Sequence, residues 1–251
     1  MDHAGDAIIR IGPALVVVMI VLAGVAVLVN VAASSGNARD TAVAVVRAVV
    51  QLTALAAILA VVIRHLWASV LFLALMAVVA AWTSASRIAT RRPTAAATLR
   101  CLLPVALPSG VIVAAVVATG VVPAAGIAII PTAGIMFGNA MVATSLAGRH
   151  AHDELRTRRG EVEAALSLGF TQYAARIDVV RPAAATALIP GIDQTRSVGL
   201  VTIPGAFVGM VLGGASTTAA AIMQLFVLVA LLAVCAIAVL ATTEMVSRGL
   251  L

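Results

Sequence analysis

CLLPVALPSGVIVAAVVATGVVPAAGIAIIPTAGIMFGNAMVATSLAG, residues 101–148, holds no Asp, Glu, Lys, Arg or His. A bilayer-spanning helix needs about 20 consecutive apolar residues, so this stretch holds two spans and a turn. The same pattern recurs on both sides: no charge falls between Arg10 and Arg39, or between Arg196 and Glu244. The whole chain is 251 residues, 63% hydrophobic and 10% charged, with a mean hydropathy of +1.15. Soluble domains carry about 25% charged residues. So few polar groups cannot cover this much apolar surface in water. The expected fold is an all-α polytopic membrane protein, one transmembrane domain over residues 1–251.

Seven spans are expected, at about 12–33, 42–62, 66–85, 102–121, 126–147, 197–213 and 219–243, with a polar region at 148–196. Ser34, Ser35, Gly36 and Asn37 close the first span, and Thr41 is expected to cap the second. Arg64-His65 forms a tight turn. With its acidic start (Asp2, Asp6) and the long apolar run after it, the first span is expected to be retained rather than a signal peptide. All sixteen basic residues are Arg. Arginine collects in cytoplasmic loops. Placing 86–100, with Arg87, Arg91, Arg92 and Arg100, in the cytoplasm leaves only Arg10 and Arg64 outside. The expected orientation is therefore N-terminus outside and C-terminus cytoplasmic, in a plasma or inner membrane.

The absence of Lys also excludes a P-loop ATPase, because a Walker A loop needs a Lys to reach the nucleotide phosphates. The net charge of +6 is explained by the loops, not by nucleic acid. Cys101 and Cys235 lie far apart in apolar segments and read as small buried hydrophobes without a disulfide.

The longest charge-bearing interval reads EVEAALSLGFTQYAARIDVVRP, residues 161–182. Glu163-Ala164-Ala165 is followed by three residues and Gly169, and nine residues later by Val179-Val180-Arg181-Pro182. This resembles the EAA loop of ABC-transporter membrane subunits, with Val179 in place of Ile and Arg181 in place of Leu. The resemblance implies a short coupling helix that docks on a separate ATPase subunit. That partner would bind the ATP and Mg, so no cofactor is expected in this chain. From the residues alone, acids in a first turn favour a helix over 161–168. Gly169 ends it, and Thr171 caps the next helix. The plain alternative is a solvated amphipathic loop.

The flanking spans carry further signals. Residues 129–148 include Pro131, Gly134, Gly138, Asn139, Met141 and Ser145-Leu146. Residues 189–214 include Pro190, Gly199, Val201, Pro204, Gly205, Gly209 and Gly213, and Gln224 follows. With a weaker match at Arg47 and Gln51, these positions resemble the FetB-like family of ABC permeases. Bacterial members of that family are assigned to iron export and plant relatives to aluminium tolerance. The family's Met-Met after Pro-Gly is here Ala206-Phe207, and its Tyr before Gln224 is Met223. The resemblance implies a permease, paired as a homodimer with two ATPase subunits, that exports a metal cation, iron first.

Each candidate has a plainer reading. Gly134 with Gly138, and Gly205, Gly209 and Gly213, form small-residue strips for helix packing. Pro204-Gly205 should break its span and free carbonyls, which a membrane tolerates only against protein or a wet cavity. Asn139 and Gln224 can coordinate a cation or hydrogen-bond across helices. They are expected, with the Pro204-Gly205 break, to line a common cavity. Met136, Met141, Met210 and Met223 offer soft sulfur ligands or simple packing. Arg47 is expected to snorkel from its helix to the cytoplasmic interface. Asp193 and Arg196, spaced i, i+3, are expected to pair at that interface; deeper in the membrane they would be functional. His150 and His152 are expected in a solvated loop. No catalytic constellation is present. The rival readings are a secondary transporter or channel, which requires ionisable groups near mid-membrane, and a non-transporting membrane scaffold.

Overall fold

The computed structural model describes residues 12–33, 36–89 and 93–251. Ser34, Ser35, Arg10, Arg91 and Arg92, named above, lie outside the described residues. The chain divides into two compact units, one through Val61 and the other Val62–Leu251.

The first unit holds α1 (Pro13–Ala32) and most of α2 (Ala38–Val62). Pro13 begins α1, where its missing N–H costs nothing. At 1.5 Å per residue, the 20 residues of α1 extend about 30 Å, the thickness of the hydrocarbon layer. Thr41 does not cap α2, which starts three residues earlier. Its hydroxyl instead donates to Asn37 O at 2.9 Å and accepts from Asn30 Nδ2 at 3.0 Å. That bond ties the two helices, and Asn30 Nδ2 also donates to Ala26 O of its own helix at 3.1 Å.

The second unit contains α3 (Leu66–Ile88), α4 (Ala95–Ala118), α5 (Gly126–Thr157), α6 (Arg159–Ser167) and α7 (Gln172–Ala185). A 3-10 turn, Thr186–Leu188, leads into α8 (Ile189–Ser197), α9 (Gly205–Leu212) and α10 (Thr217–Ser247). Among the described residues six helices are long and apolar enough to cross a membrane: α1 to α5 and α10. There is no strand among them, only an isolated bridge between Val198 and Thr202.

Helix α5 is the axis of this unit, and its small residues explain why. Ala133, Ala140, Ala143 and Ala147 are at most 3% exposed. They let α3, α4 and α10 approach closely, the device helices use where lipid offers no hydrophobic drive. Ala80, Val105, Met136, Val227 and Val234 close the central layer. Ser84 Oγ donates to Met141 O at 3.2 Å, and Ser145 Oγ to the same carbonyl at 2.6 Å. These two buried hydroxyls are thus satisfied without water, whereas Thr144 Oγ1 of α5 is buried without a hydrogen-bond partner among the described residues.

The tightest approach lies at the start of α5. A Cβ on Gly126 would stand 2.3 Å from Ser69 Oγ and 3.0 Å from Ile63 Cα. Ser69 Oγ meanwhile donates to Val62 O at 3.1 Å and His65 O at 3.2 Å, holding the α2–α3 turn. Gly126→Ala is expected to destabilise the fold by about 1–3 kcal/mol through overpacking. It should lower the thermal unfolding midpoint of the purified protein in detergent. Ser69→Ala added to Gly126→Ala should restore part of the loss, because it removes the atom struck first; no recovery in the double variant would refute the clash.

Two expectations about the spans change. Helix α5 runs on to Thr157, so 148–157 is a helical extension and not a loop. The expected sixth span, 197–213, is not a helix through the membrane. Residues 198–204 are irregular, with Gly199 at φ +80°, and only α9, eight residues long, is helical. Pro204 and Gly205 start α9 and do not interrupt it. Eight residues rise about 12 Å, less than half the hydrocarbon thickness. Pro204 has no N–H to continue a helix from α8, and Gly199 favours the left-handed turn that precedes it.

Candidate functional site

One end of the second unit is rich in arginine. Arg87 of α3, Arg100 of α4, Arg149 and Arg156 of α5 and the 249–251 tail surround one cavity there. The α6–α7 hairpin is rooted at this end. Helix α7 buries Ala175, Ile177, Val179, Val180 and Ala184 against its neighbours. Tyr173 OH donates to Glu244 Oε1 at 2.9 Å, and the Arg248 guanidinium sits over the Tyr173 ring at 5.6 Å. That hydrogen bond to a carboxylate holds the Tyr173 hydroxyl above its ordinary pKa. Glu244 and Arg248, spaced i, i+4 on α10 and its C-cap, pair beside it with side chains 3.4 Å apart.

The corner of the hairpin is a Schellman motif. Phe170 N donates to Ala165 O at 3.1 Å and Gly169 N to Leu166 O at 3.0 Å, with Gly169 at φ +88°. Thr171 Oγ1 then accepts from Ala174 N at 3.2 Å and caps α7. Glu163 accepts from Arg159 Nε at 2.8 Å on its own helix, while Arg158 binds Glu161 one turn along. The Glu161 carboxyl is held below its ordinary pKa chiefly by the hydrogen bond from Arg158. Ala164 and Ala165 supply the small side and carbonyls of the helix end; Ala164 O accepts from Leu168 N at 3.1 Å. Pro182 sits inside α7. The apolar residues of the corner point outward: Leu168 is 80% exposed and Phe170 54%. Such side chains on a charged hairpin are an unpartnered surface.

His150 and His152 lie on the α5 extension. His150 Nδ1 and Thr186 Oγ1 are 2.8 Å apart, which anchors the 3-10 turn. His152 is half-buried, and burial pushes its imidazole below the ordinary value of 6.5. Among the described residues no three His, Cys, Asp or Glu side chains group to hold a metal ion.

From this end the chain climbs beside α10 in short pieces. Pro190, Gly191, Gln194 and Thr195 of α8 share a 260 Å³ cavity with Asn139, Val142 and Leu146 of α5 and Leu228, Leu231, Leu232 and Cys235 of α10. Val198, Gly199, Ile203, Pro204 and Phe207 then share a 320 Å³ cavity with Gln224 and Leu228, nearer the start of α10. Asn139 and Gln224 therefore line two adjoining cavities, with Leu228 in the wall of both. Asn139 Nδ2 donates to Ile135 O of its own helix at 2.9 Å. Gln224 is 7% exposed, and its Oε1 has no hydrogen-bond partner.

Asp193 and Arg196 form an ion pair on α8 and line neither cavity. Helix α8 lies level with the middle of α10. The pair is loose, 3.7 Å apart, with side chains 63% and 78% exposed for Asp193 and Arg196.

The other predicted residues are dispersed. Met136 is fully buried, and Met141 and Met223 pack against the same core. Met210 is half-buried on α9. Gly134 abuts Met76 Cε at 3.3 Å, whereas Gly138, Gly205 and Gly209 meet nothing within 4 Å, and Gly213 meets Gly209 O at 3.2 Å. Arg47 and Gln51 line a shallow groove on α2. Cys101 is buried and Cys235 half-buried, both as free thiols.

The helices and the arginine-rich end define a multi-pass α-helical membrane protein with a polar hairpin at one end and a broken segment beside its last helix. The chain belongs to the uncharacterised protein family UPF0014, whose model matches residues 13–251. It is similar to the UPF0014 membrane protein STAR2 of Oryza sativa subsp. japonica, 40% identical over 120 residues, 48% of this chain and 42% of that one. It is 30% identical over 135 residues, 54% of this chain and 51% of the other, to the probable iron export permease protein FetB of Escherichia coli (strain K12). The UPF0014 membrane protein YjkA of Bacillus subtilis (strain 168) is 28% identical over 195 residues, 77% of each chain. The matches to STAR2 and FetB thus span about half the length of those relatives. No solved structure matches the chain.

Proposed function

We propose that this chain is the membrane-spanning permease subunit of an ABC transporter, acting as a homodimer with two separate ATPase subunits that bind ATP and Mg. The observation that carries this reading is the hairpin corner: a rigid Schellman turn presenting exposed Leu168 and Phe170 from the arginine-rich end. Exposed apolar side chains in the aqueous phase need a protein partner, and the EAA-like spacing of Glu163, Ala164, Ala165, Gly169 and Pro182 points to the ATPase. The cargo is a metal cation, with iron and the export direction supported by the similarity to FetB. In this reading Asn139, Gln224 and the Pro204-Gly205 region line the path, and the chain sits in a plasma or inner membrane. Co-purification of the chain with an ATP-binding-cassette protein, followed by cation-stimulated ATP hydrolysis in liposomes, tests it. Absence of both refutes it.

The arginine distribution supports an orientation with the N-terminus outside and the hairpin in the cytoplasm. Thr157→Cys, in a background without Cys101 and Cys235, is expected to resist an impermeant maleimide in intact cells and to react after permeabilisation. Labelling in intact cells would invert the topology.

A further inference from the structure

We propose that the arginine-lined cavity at the end of the second unit binds an anionic phospholipid, with the lipid phosphate among the guanidinium groups and an acyl chain along α4. Neither nucleotide nor ATPase enters this inference, which goes beyond the permease reading. Three observations carry it.

The first is uncompensated charge around a formed cavity. Arg87, Arg100, Arg149 and Arg156 line a space of 600 Å³ that holds one acidic side chain, Asp153. Pockets of roughly 300–1,000 Å³ hold small-molecule ligands. Among the described residues none of these four arginines forms an ion pair with an Asp or Glu, whereas Arg158, Arg159 and Arg248 each pair with a Glu. Asp153 lies four residues after Arg149 and three before Arg156, the spacing at which helical pairs meet. It still pairs with neither. Four cations converging on one cavity repel one another unless an anion sits among them. A bias of arginine toward one side of the membrane sets how many collect there. It does not require three helices to aim theirs at one space. All four side chains are exposed, so a ligand reaches them without the bundle opening.

The second is preorganisation. The Arg100 guanidinium donates to Leu250 O, which holds it at the cavity wall. Thr94 caps α4 by accepting from Ala97 N at 3.2 Å, and both residues line the same space. The positive end of the α4 dipole therefore adds to the field of the arginines. A guanidinium fork meets two phosphate oxygens at once, which an ammonium cannot do.

The third decides the source of the phosphate. A free phosphate and a lipid headgroup present the same oxygens, but only the lipid also needs an apolar track. Arg100, Leu103 and Leu107 are spaced i, i+3, i+7 and so share one face of α4. Leu103 is 49% exposed and Leu107 56%. The cavity lies where α3 ends and α4 begins, both apolar helices of spanning length. That is the level at which headgroups meet hydrocarbon, and basic pockets between helices there hold anionic headgroups.

The test is native mass spectrometry of the detergent-solubilised full chain, titrated with phosphatidylglycerol, cardiolipin or phosphatidylcholine. The parent chain is expected to bind the two anionic lipids about tenfold or more tightly than phosphatidylcholine. Arg149→Gln with Arg156→Gln is expected to lose that preference. Neither side chain is ion-paired among the described residues, so the unfolding midpoint without lipid should stay near that of the parent. Arg100→Gln alone should weaken anionic-lipid binding several-fold and gives a second reading if the first variant unfolds. Arg158→Gln with Arg159→Gln removes two charges outside this cavity and is expected to keep the preference. Leu103→Asn with Leu107→Asn is expected to weaken lipid binding and leave pyrophosphate binding unchanged. An unchanged preference in Arg149→Gln/Arg156→Gln, or an equal loss in Arg158→Gln/Arg159→Gln, overturns the site. So does a parent chain that binds phosphatidylglycerol and cardiolipin no better than phosphatidylcholine. Pyrophosphate binding that needs Arg149 and Arg156, without any lipid preference, would assign the cavity to a soluble phosphate and overturn the lipid.

Discussion

Gly169→Val is expected to reduce ATP-dependent transport by at least tenfold while leaving membrane insertion and protein level near those of the parent. The reason is local. Gly169 holds φ +88°, and the position its Cβ would take meets nothing within 4 Å. The cost of a side chain there is therefore backbone strain and not crowding. A left-handed residue costs about 1–2 kcal/mol in an L-amino acid, and more with a branched β-carbon. The Schellman bonds from Phe170 and Gly169 hold that angle. The chain relieves the strain by letting α6 swing relative to α7, since α6 has no buried residue to resist. Helix α7 stays rooted through Val180 and the Tyr173–Glu244 bond, so the bundle is untouched. Gly169→Asn is the control, because Asn tolerates the left-handed region, and it should transport within a few-fold of the parent. Equal loss in both variants would mean that the side chain and not the angle matters. Normal transport in Gly169→Val would remove the coupling role from this corner.

Local signals in the sequence carry through to the structure where the chemistry is local. The helix–glycine–helix corner follows from Gly169 and Thr171, and the structure shows both bonding patterns that these residues imply. The charge-free stretches locate α1, α4, α5 and α10 because lipid burial depends on composition alone. What the sequence could not reveal depends on tertiary register. Residues 197–213 are apolar enough to read as a span, yet Gly199 and Pro204 outweigh hydropathy and break it. Nor does the sequence show that α8 stands beside Leu231 of α10. Asn139 and Gln224 both look like path residues, but only packing around Leu228 distributes them between two cavities. The Tyr173–Glu244 clamp joins residues 71 apart in sequence, beyond the reach of any spacing rule.

Leu168→Asp combined with Phe170→Asp is expected to abolish co-purification with the ATPase, and to do so far more completely than Glu163→Arg. Magnitudes separate the two. Burying a Leu or Phe side chain at an interface contributes about 1.5–3 kcal/mol, so losing two such anchors weakens binding by about a hundredfold or more. Glu163 sits in an exposed pair with Arg159 at 2.8 Å, and its side chain is 60% exposed. Exposed pairs contribute about 0–1 kcal/mol, and Glu163→Arg first has to break that pair before it changes docking. Its expected effect is a few-fold weakening that fades at high salt. The double Asp variant keeps the fold, because Leu168 at 80% and Phe170 at 54% exposure support nothing in the core. Their main-chain bonds to Ala164, Ala165 and the corner do not depend on side chain. The measurement is affinity capture of the ATPase on the detergent-solubilised chain, with the thermal unfolding midpoint recorded for each variant. Full capture by Leu168→Asp/Phe170→Asp at an unchanged midpoint would show that the ATPase does not dock on this corner.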